Sequence, residues 1–243
     1  MSTIIILGDG ALGRAVAAAA ADAGHHPRIV GRPAGPRHGP DAFTGADIVV
    51  EASRPDAVLG NLAGAIDAGV GRFVIATTAW EADRPAVERL LTGHGATAVA
   101  SPNFSLGVAL FGRLVESAVA LFGRVDGFDP FLVEWHRAGK RDRPSGTARD
   151  LARRIVAGHP GLAGGDDLEV VSIRAGASPG MHLVGFDATG ETVELRLTAR
   201  DRSAYATGIL AAADWLERAP RMPGIHSFDP IVDSLLERAE VAA

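Results

Sequence analysis

The sequence predicts an α/β protein in two parts, a parallel sheet flanked by helices and a mixed-sheet α+β domain. Three observations carry this. Apolar, β-branched runs alternate with helix-like segments through about residue 104, as in strands joined by crossover helices. The rhythm then changes to strand-like runs with no helix between them, which reads as antiparallel or mixed sheet. Finally, the first apolar run leads straight into a glycine-rich turn that opens a helix.

Ile4 to Leu7 is a continuous apolar run, as expected of a strand covered on both faces. Gly8-Asp9-Gly10-Ala11-Leu12-Gly13 follows, then an Ala-rich helix to Ala23 that Gly24 stops. A second strand fits Pro27 to Val30, and the Gly- and Pro-dense stretch from Gly31 to Gly45 reads as loop. Ile48 to Val50 gives a third strand, and Arg54-Pro55-Asp56 opens a helix ending near Gly69. Phe73 to Ile75 is a fourth strand, ending in Ala76-Thr77-Thr78-Ala79. Glu81 to Gly93 reads as helix, and Thr97 to Ala100 as a strand ending at Ser101-Pro102-Asn103-Phe104.

The second part opens with an apolar helix, Leu106 to Phe122, and a strand around Phe131 to Glu134. A polar loop and a helix from about Ser145 follow, then strands at Leu168 to Arg174, His182 to Asp187 and Thr192 to Leu197. A helix from Ser203 to Leu216 is expected to close this domain, and the tail to return to the first. The expected domains are therefore 1–104 completed by 217–243, and 105–216.

Composition narrows the function classes. The 243 residues include no cysteine, which excludes disulfides, thiolate catalysis and cysteine-bound metal, and which fits a reducing cytoplasm. Net charge is −5, with no clustered basic run, so no nucleic-acid surface is expected. The first apolar run is too short to span a bilayer and lacks a basic start. No membrane partner, no metal and a cytoplasmic location are the expectations. A small anionic ligand would need local Arg, Lys or helix N-termini.

Gly8-x-Gly10-x-x-Gly13 sits between the first strand and the first helix, where a dinucleotide fingerprint must sit. The glycines allow a tight turn, close approach of backbone to pyrophosphate, and close packing of helix on strand. The second strand usually ends in an acidic residue that binds the NAD ribose, but here Gly31-Arg32 stands there. An Arg at this place pairs with a 2′-phosphate, so NADPH is the expected cofactor, with NADH as the alternative.

Glu134-Trp135-His136-Arg137-Ala138-Gly139-Lys140-Arg141-Asp142-Arg143-Pro144-Ser145-Gly146-Thr147-Ala148 is the most informative stretch. His136 and Lys140 stand four apart in a polar loop, followed by a helix start whose Ser145, Gly146 and Thr147 N–H groups suit a carboxylate. Arg137 adds positive charge beside them. A capped structural loop is the plainer reading of His136 and Lys140 taken alone.

The whole stretch resembles the E-x-H-H-x-x-K-x-D-x-P-S-G-T-A signature of dihydrodipicolinate (4-hydroxy-tetrahydrodipicolinate) reductases. The likeness extends to Val50-Glu51-Ala52-Ser53-Arg54-Pro55-Asp56-Ala57, to Ala76-Thr77-Thr78-Ala79 (the family's G-T-T-G), and to Pro102-Asn103-Phe104-Ser105-Leu106-Gly107. Ser172-Ile173-Arg174, Gly180-Met181-His182, Gly190-Glu191 and Arg202 continue it. The resemblance implies a Rossmann domain, a substrate-binding domain that builds a homotetramer, and hydride transfer from NAD(P)H to an unsaturated cyclic dicarboxylate of the lysine and diaminopimelate pathway. It implies that His136 and Lys140 handle the proton and that Gly146 and Thr147 hold a substrate carboxylate. Ala76, Thr77, Thr78, Ser101, Pro102, Asn103 and Phe104 would then contact the nicotinamide side, while Gly8 to Gly13 and Arg32 hold the rest of the cofactor. Hydride addition leaves a carbanion or amide nitrogen, so a positioned acid must supply a proton.

The sequence departs from the family pattern at several points. The second consecutive His is Arg137, G-T-T-G is A-T-T-A, the Glu of G-E-H is Met181, and a later His is Leu197. Arg137 can bind a carboxylate but cannot cycle a proton. A paralogue acting on another imine or enamine acid, or a non-catalytic NADPH sensor, are the alternatives these changes leave. On the reading of Arg32, Arg32→Ala weakens NADPH binding more than NADH binding. Equal losses in a fluorescence titration of both cofactors would return Arg32 to the solvated surface.

Overall fold

The computed structural model describes residues 1–33 and 38–241, so positions 34–37 of the expected loop lie outside the described residues. The chain divides into two units, residues 1–106 with 202–243, and residues 107–201.

The first unit is a six-stranded parallel sheet. Its strands are β1 (Thr3–Leu7), β2 (His26–Val30), β3 (Ile48–Glu51), β4 (Arg72–Ile75), β5 (Thr97–Ala100) and β10 (Gly224–His226), in the order β10-β5-β4-β3-β1-β2. Helices α1 (Ala11–Asp22), α2 (Val58–Asp67) and α3 (Arg84–Gly93) connect them. All four residues of β3 and of β5 are buried, whereas β2 at the sheet edge is half exposed. Central strands of a parallel sheet are covered on both faces, which explains their unbroken apolar runs. The expected helices from Arg54 and Glu81 each begin with a 3₁₀ turn, Pro55–Ala57 and Glu81–Asp83, before α2 and α3. The loop expected from Gly31 to Gly45 also contains a 3₁₀ turn, Pro40–Phe43, whose Phe43 is buried in the core.

The second unit holds α4 (Leu106–Phe122), β6 (Asp129–His136), α5 (Gly146–Gly158), β7 (Glu169–Arg174), β8 (Met181–Ala188) and β9 (Glu191–Thr198). Its sheet has the order β7-β6-β8-β9, with β6 and β7 parallel and the other pairs antiparallel. The mixture has a simple cause. A parallel pair needs a crossover, which α5 supplies, while β8 and β9 form a hairpin around Thr189-Gly190. Phe111, Val115 and Val119 of α4 and Leu151 and Ile155 of α5 bury one sheet face, meeting Leu132, Val184 and Phe186.

The expected domain boundary is corrected at helix α6 (Ser203–Arg218). It belongs to the first unit, where it packs on α1 and against β4 and β5, rather than closing the second. A pattern of apolar residues shows that a helix has a buried face but not which sheet receives it. Gly208 lets α6 lie this close, because a Cβ there would stand 1.8 Å from the carbonyl oxygen of Phe104. Strand β10 and helix α7 (Asp229–Val241) complete the unit after α6.

Candidate active site

In the first unit, the glycine turn has the form that the fingerprint requires. Gly8 donates to the carbonyl of Val30, and a Cβ on Gly13 would stand 2.0 Å from the carbonyl oxygen of Gly8. Helix α1 starts at Ala11 with no side-chain cap at Gly10 and no acidic residue in its first turn. Ala11, Leu12 and Gly13 therefore present helix N-terminal N–H groups that suit a pyrophosphate. Asp9 reaches toward the end of β2, with Oδ2 3.8 Å from where a Cβ on Gly31 would lie. Arg32 is exposed just beyond, so both an anion and a cation stand at the strand end that sorts the two cofactors.

Thr77, Thr78, Ser101 and Pro102 line one cleft together with Trp80 and Arg84. Ala76 opens the same turn, its N–H donating to the Glu51 carbonyl at 2.8 Å. The Ser101 hydroxyl donates to the carbonyl of Asn103, whose side-chain oxygen accepts from the N–H of Ser105. Phe104 differs from its predicted role. It is 2% exposed and stacks edge-on with Phe228, so its ring serves the core.

One residue behind this cleft was quoted in a sequence motif without a role. Glu51 is fully buried and accepts from Ser53 N–H at 2.8 Å, Asn61 Nδ2 at 2.7 Å and Thr77 Oγ1 at 3.1 Å. It thus ties the turn after β3 to the turn after β4. Burial pushes its carboxyl up, against the pull of the hydrogen bonds from Ser53, Asn61 and Thr77. An acidic residue inside a buried strand was the signal that could have found it.

In the second unit, His136 is the last residue of β6 rather than part of the loop, which corrects its predicted place. Two residues earlier, and so on the same face, lies Glu134. The strand register sets Ser172 opposite Glu134 on one side and His182 on the other, with Leu197 opposite His182. One Glu134 oxygen, Oε1, accepts from Arg174 Nη2 at 2.7 Å, Ser172 Oγ at 2.5 Å and Ser145 N–H at 2.9 Å. The other, Oε2, stands 3.2 Å from His136 Nδ1 and 3.8 Å from His182 Nε2. Neither Oε2 nor His136 Nδ1 has a well-aligned hydrogen bond among the described residues.

Electrostatics separate the three groups. Burial pushes Glu134 up, but the bonds from Ser145, Ser172 and Arg174 outweigh it and bring the carboxyl down to about 2. Burial also pushes His182 down to about 4, reinforced by His136. His136 is lowered by burial, while the Glu134 charge works against that. The ligand atoms of Glu134, His136 and His182 lie within 4.8 Å of one another, a spacing a metal could use. The buried Arg174 guanidinium already neutralises Glu134, so a metal ion would be set beside a resident cation.

Lys140 lies in the loop after His136, its ammonium 2.8 Å from Asp142, and holds the Asp142 carboxyl below its ordinary value. Arg137 is exposed. Ser145 caps α5, its hydroxyl accepting from Ala148 N–H at 3.1 Å and lying 3.2 Å from His182 Nε2. Since the Ser145 N–H is taken by Glu134, the predicted set of three ligand-binding N–H groups is corrected. Gly146 and Thr147 are the first two residues of α5. Glu134, Ser172, Arg174 and His182 were quoted in the sequence motifs without a role. Alternation along strands could have put Glu134 beside His136, but not which strands flank them.

The dihydrodipicolinate reductase C-terminus profile matches residues 107–231. The 4-hydroxy-tetrahydrodipicolinate reductase of Methanococcoides burtonii is 31% identical over 198 residues, 77% of this chain and 73% of that protein. The 4-hydroxy-tetrahydrodipicolinate reductase of Chromobacterium violaceum is 34% identical over 190 residues, 72% of this chain and 70% of that protein. The dipicolinate-bound dihydrodipicolinate reductase from Paenisporosarcina sp. TG-14 shares the fold, with a TM-score of 0.70 and 18% identity. That superposition covers 93% of this chain and 97% of the other.

Ala79, at the end of the turn after β4, adopts φ 63° and is the one non-glycine residue with positive φ among the described residues. An alanine in this left-handed region costs about 1–2 kcal/mol that a glycine avoids. Ala79→Gly is expected to raise the urea midpoint by the equivalent of about 1 kcal/mol. An unchanged or lower midpoint would show the turn to be unstrained.

Proposed function

The chain belongs to the dihydrodipicolinate reductase family, and from that premise we propose that it reduces an unsaturated cyclic imine or enamine dicarboxylate with NADPH, accepting NADH as well. The family substrate, 4-hydroxy-tetrahydrodipicolinate of lysine and diaminopimelate biosynthesis, is the leading candidate. The observation that carries this reading is a buried carboxylate–imidazole pair, Glu134 and His136, joined to the capped N-terminus of α5.

The uncapped start of α1 suits the pyrophosphate and the cleft at Thr77 and Ser101 suits the nicotinamide side. A reduced nicotinamide bound there supplies a hydride. The chain's own residues bind, orient and protonate. Gly146 and Thr147, at the positive end of α5, suit a substrate carboxylate, and Arg137 is exposed as a cation for one. His136 and Lys140 are the proton donors for the carbon or nitrogen left negative by hydride addition, worth about 10²- to 10⁴-fold in rate. A second substrate reading rests on Leu197. It fills the place in the row Ser172–Glu134–His182 where the family has a His, and so ends the polar row in a hydrophobic side chain. A related cyclic imine with fewer polar groups on that side would suit it.

A homotetramer and a cytoplasmic location accompany this reading. The sheet face opposite α4 and α5 leaves Trp135, Val171 and Ile173 about two-fifths exposed, an apolar surface that association would cover. No helix among the described residues is long and apolar enough to cross a membrane.

Freshly generated hydroxy-tetrahydrodipicolinate is expected to drive loss of NADPH absorbance, and Lys140→Ala to cut kcat at least about 10²-fold with NADPH affinity nearly unchanged. No turnover at high enzyme concentration, with activity on another cyclic imine, would reassign the substrate. NADPH binding without turnover of any imine would make the chain a sensor. Sedimentation is expected to give a tetramer, and Ile173→Glu to shift it to smaller species. A monomeric wild type would remove the oligomer.

A further inference from the structure

We propose that Glu134 is the positioning residue of the proton donor: anchored through one oxygen by Arg174, Ser172 and Ser145, it presents the other to His136 and decides which nitrogen of that ring carries the proton. This rests on the reading of His136 as a proton donor. An imidazole can give up a proton from Nε2 and remain neutral only if Nδ1 keeps its own. Glu134 Oε2 faces Nδ1 at 3.2 Å, so the carboxylate favours the Nδ1–H form and leaves Nε2 for the reaction. The Nε2 edge is covered by Gly180, where a Cβ would lie only 3.2 Å from that nitrogen. A larger residue at position 180 would crowd the nitrogen that must work.

Anchoring of the carboxylate is what gives this arrangement its precision. Three donors converge on Oε1 from two elements, Ser172 and Arg174 on β7 and Ser145 at the start of α5. A carboxylate held on one oxygen by three donors cannot rotate, so Oε2 has a set position. Ser145 also caps the helix whose first N–H groups suit the substrate carboxylate, and its hydroxyl meets His182. The anion-binding turn and the proton donor thus share a single anchor.

Charge follows the same logic. The groups acting on His136 are Glu134 on its own strand, Arg174 on β7, His182 on β8, and Lys140 and Asp142 in the following loop. Burial and two cations lower His136, and Glu134, the anion nearest the ring, works against that lowering. His182, 5.2 Å away ring to ring, is pushed down to about 4 by burial, with the His136 charge adding to it.

Glu134→Gln keeps the shape and removes the charge. A protonated donor loses rate as pH rises through its pKa, and removing the anion lowers that pKa. The falling limb of kcat/KM is therefore expected to move to lower pH by about one unit. Accompanying this, kcat falls about 10²-fold and NADPH affinity stays within about twofold. In a His136→Asn background, Glu134→Gln is expected to cost at most about twofold more, because the two act as a unit. Nitrogen chemical shifts of His136 should report Nδ1–H in the wild type. If Glu134→Gln fails to fold, Ser172→Ala, which removes one anchor and leaves Arg174 paired, should move the limb in the same direction by less. A wild-type pH profile in these variants, or a full additive loss in the double variant, would overturn the role of Glu134 while leaving the reductase reading standing. Full turnover by His136→Asn would overturn the donor reading and this proposal together.

Discussion

The second unit is organised around the buried pair of Glu134 and Arg174, both side chains fully removed from solvent. Two opposite charges in an apolar interior need further hydrogen bonds to offset the hydration they lose. That demand draws in Ser172 from β7 and Ser145 from α5, and sets two imidazoles on the free oxygen. Removing either member would strand a charge at a cost of about 3–5 kcal/mol. The pair is thus less a source of net stability than a constraint that gives β6, β7 and the start of α5 one relative arrangement.

Glu51 plays a comparable part in the first unit. Its carboxylate and its carbonyl together take donors from the turn after β3 and the turn after β4. The cleft lined by Thr77 and Ser101 is therefore shaped from beneath by a buried acid. Each unit carries a carboxylate on the central part of its sheet, and each uses it to hold the loops where ligand chemistry is expected.

The departures from the family pattern gain physical meaning in this setting. Leu197 is the fourth place in a row across the sheet, after Ser172, Glu134 and His182, and joins the edge of the apolar core instead of extending the polar cluster. Ala79 occupies a left-handed turn position that favours glycine. Arg137 stands exposed, where it adds charge without entering the buried network. Within the second unit, Leu197 stands next to His182 and Arg137 stands outside the Glu134 cluster.

Much of the architecture was legible from the amino-acid order. Unbroken apolar runs gave β1, β3, β4 and β5 because strands covered on both faces need no alternation, and the glycine turn located the start of α1. The residues His136, Lys140 and Ser145 to Thr147 stood out because their types and spacing lie within one short stretch. Partners brought together across strands did not stand out. Glu134 meets Ser172 and Arg174 nearly forty residues away and His182 still farther along the chain, through a register that hydrogen bonding between strands decides. The same holds for α6, whose apolar face was evident but whose sheet was not. Periodicity is a local property that one chain segment carries by itself. The choice of neighbour depends on which surfaces fit, and only the folded chain makes it.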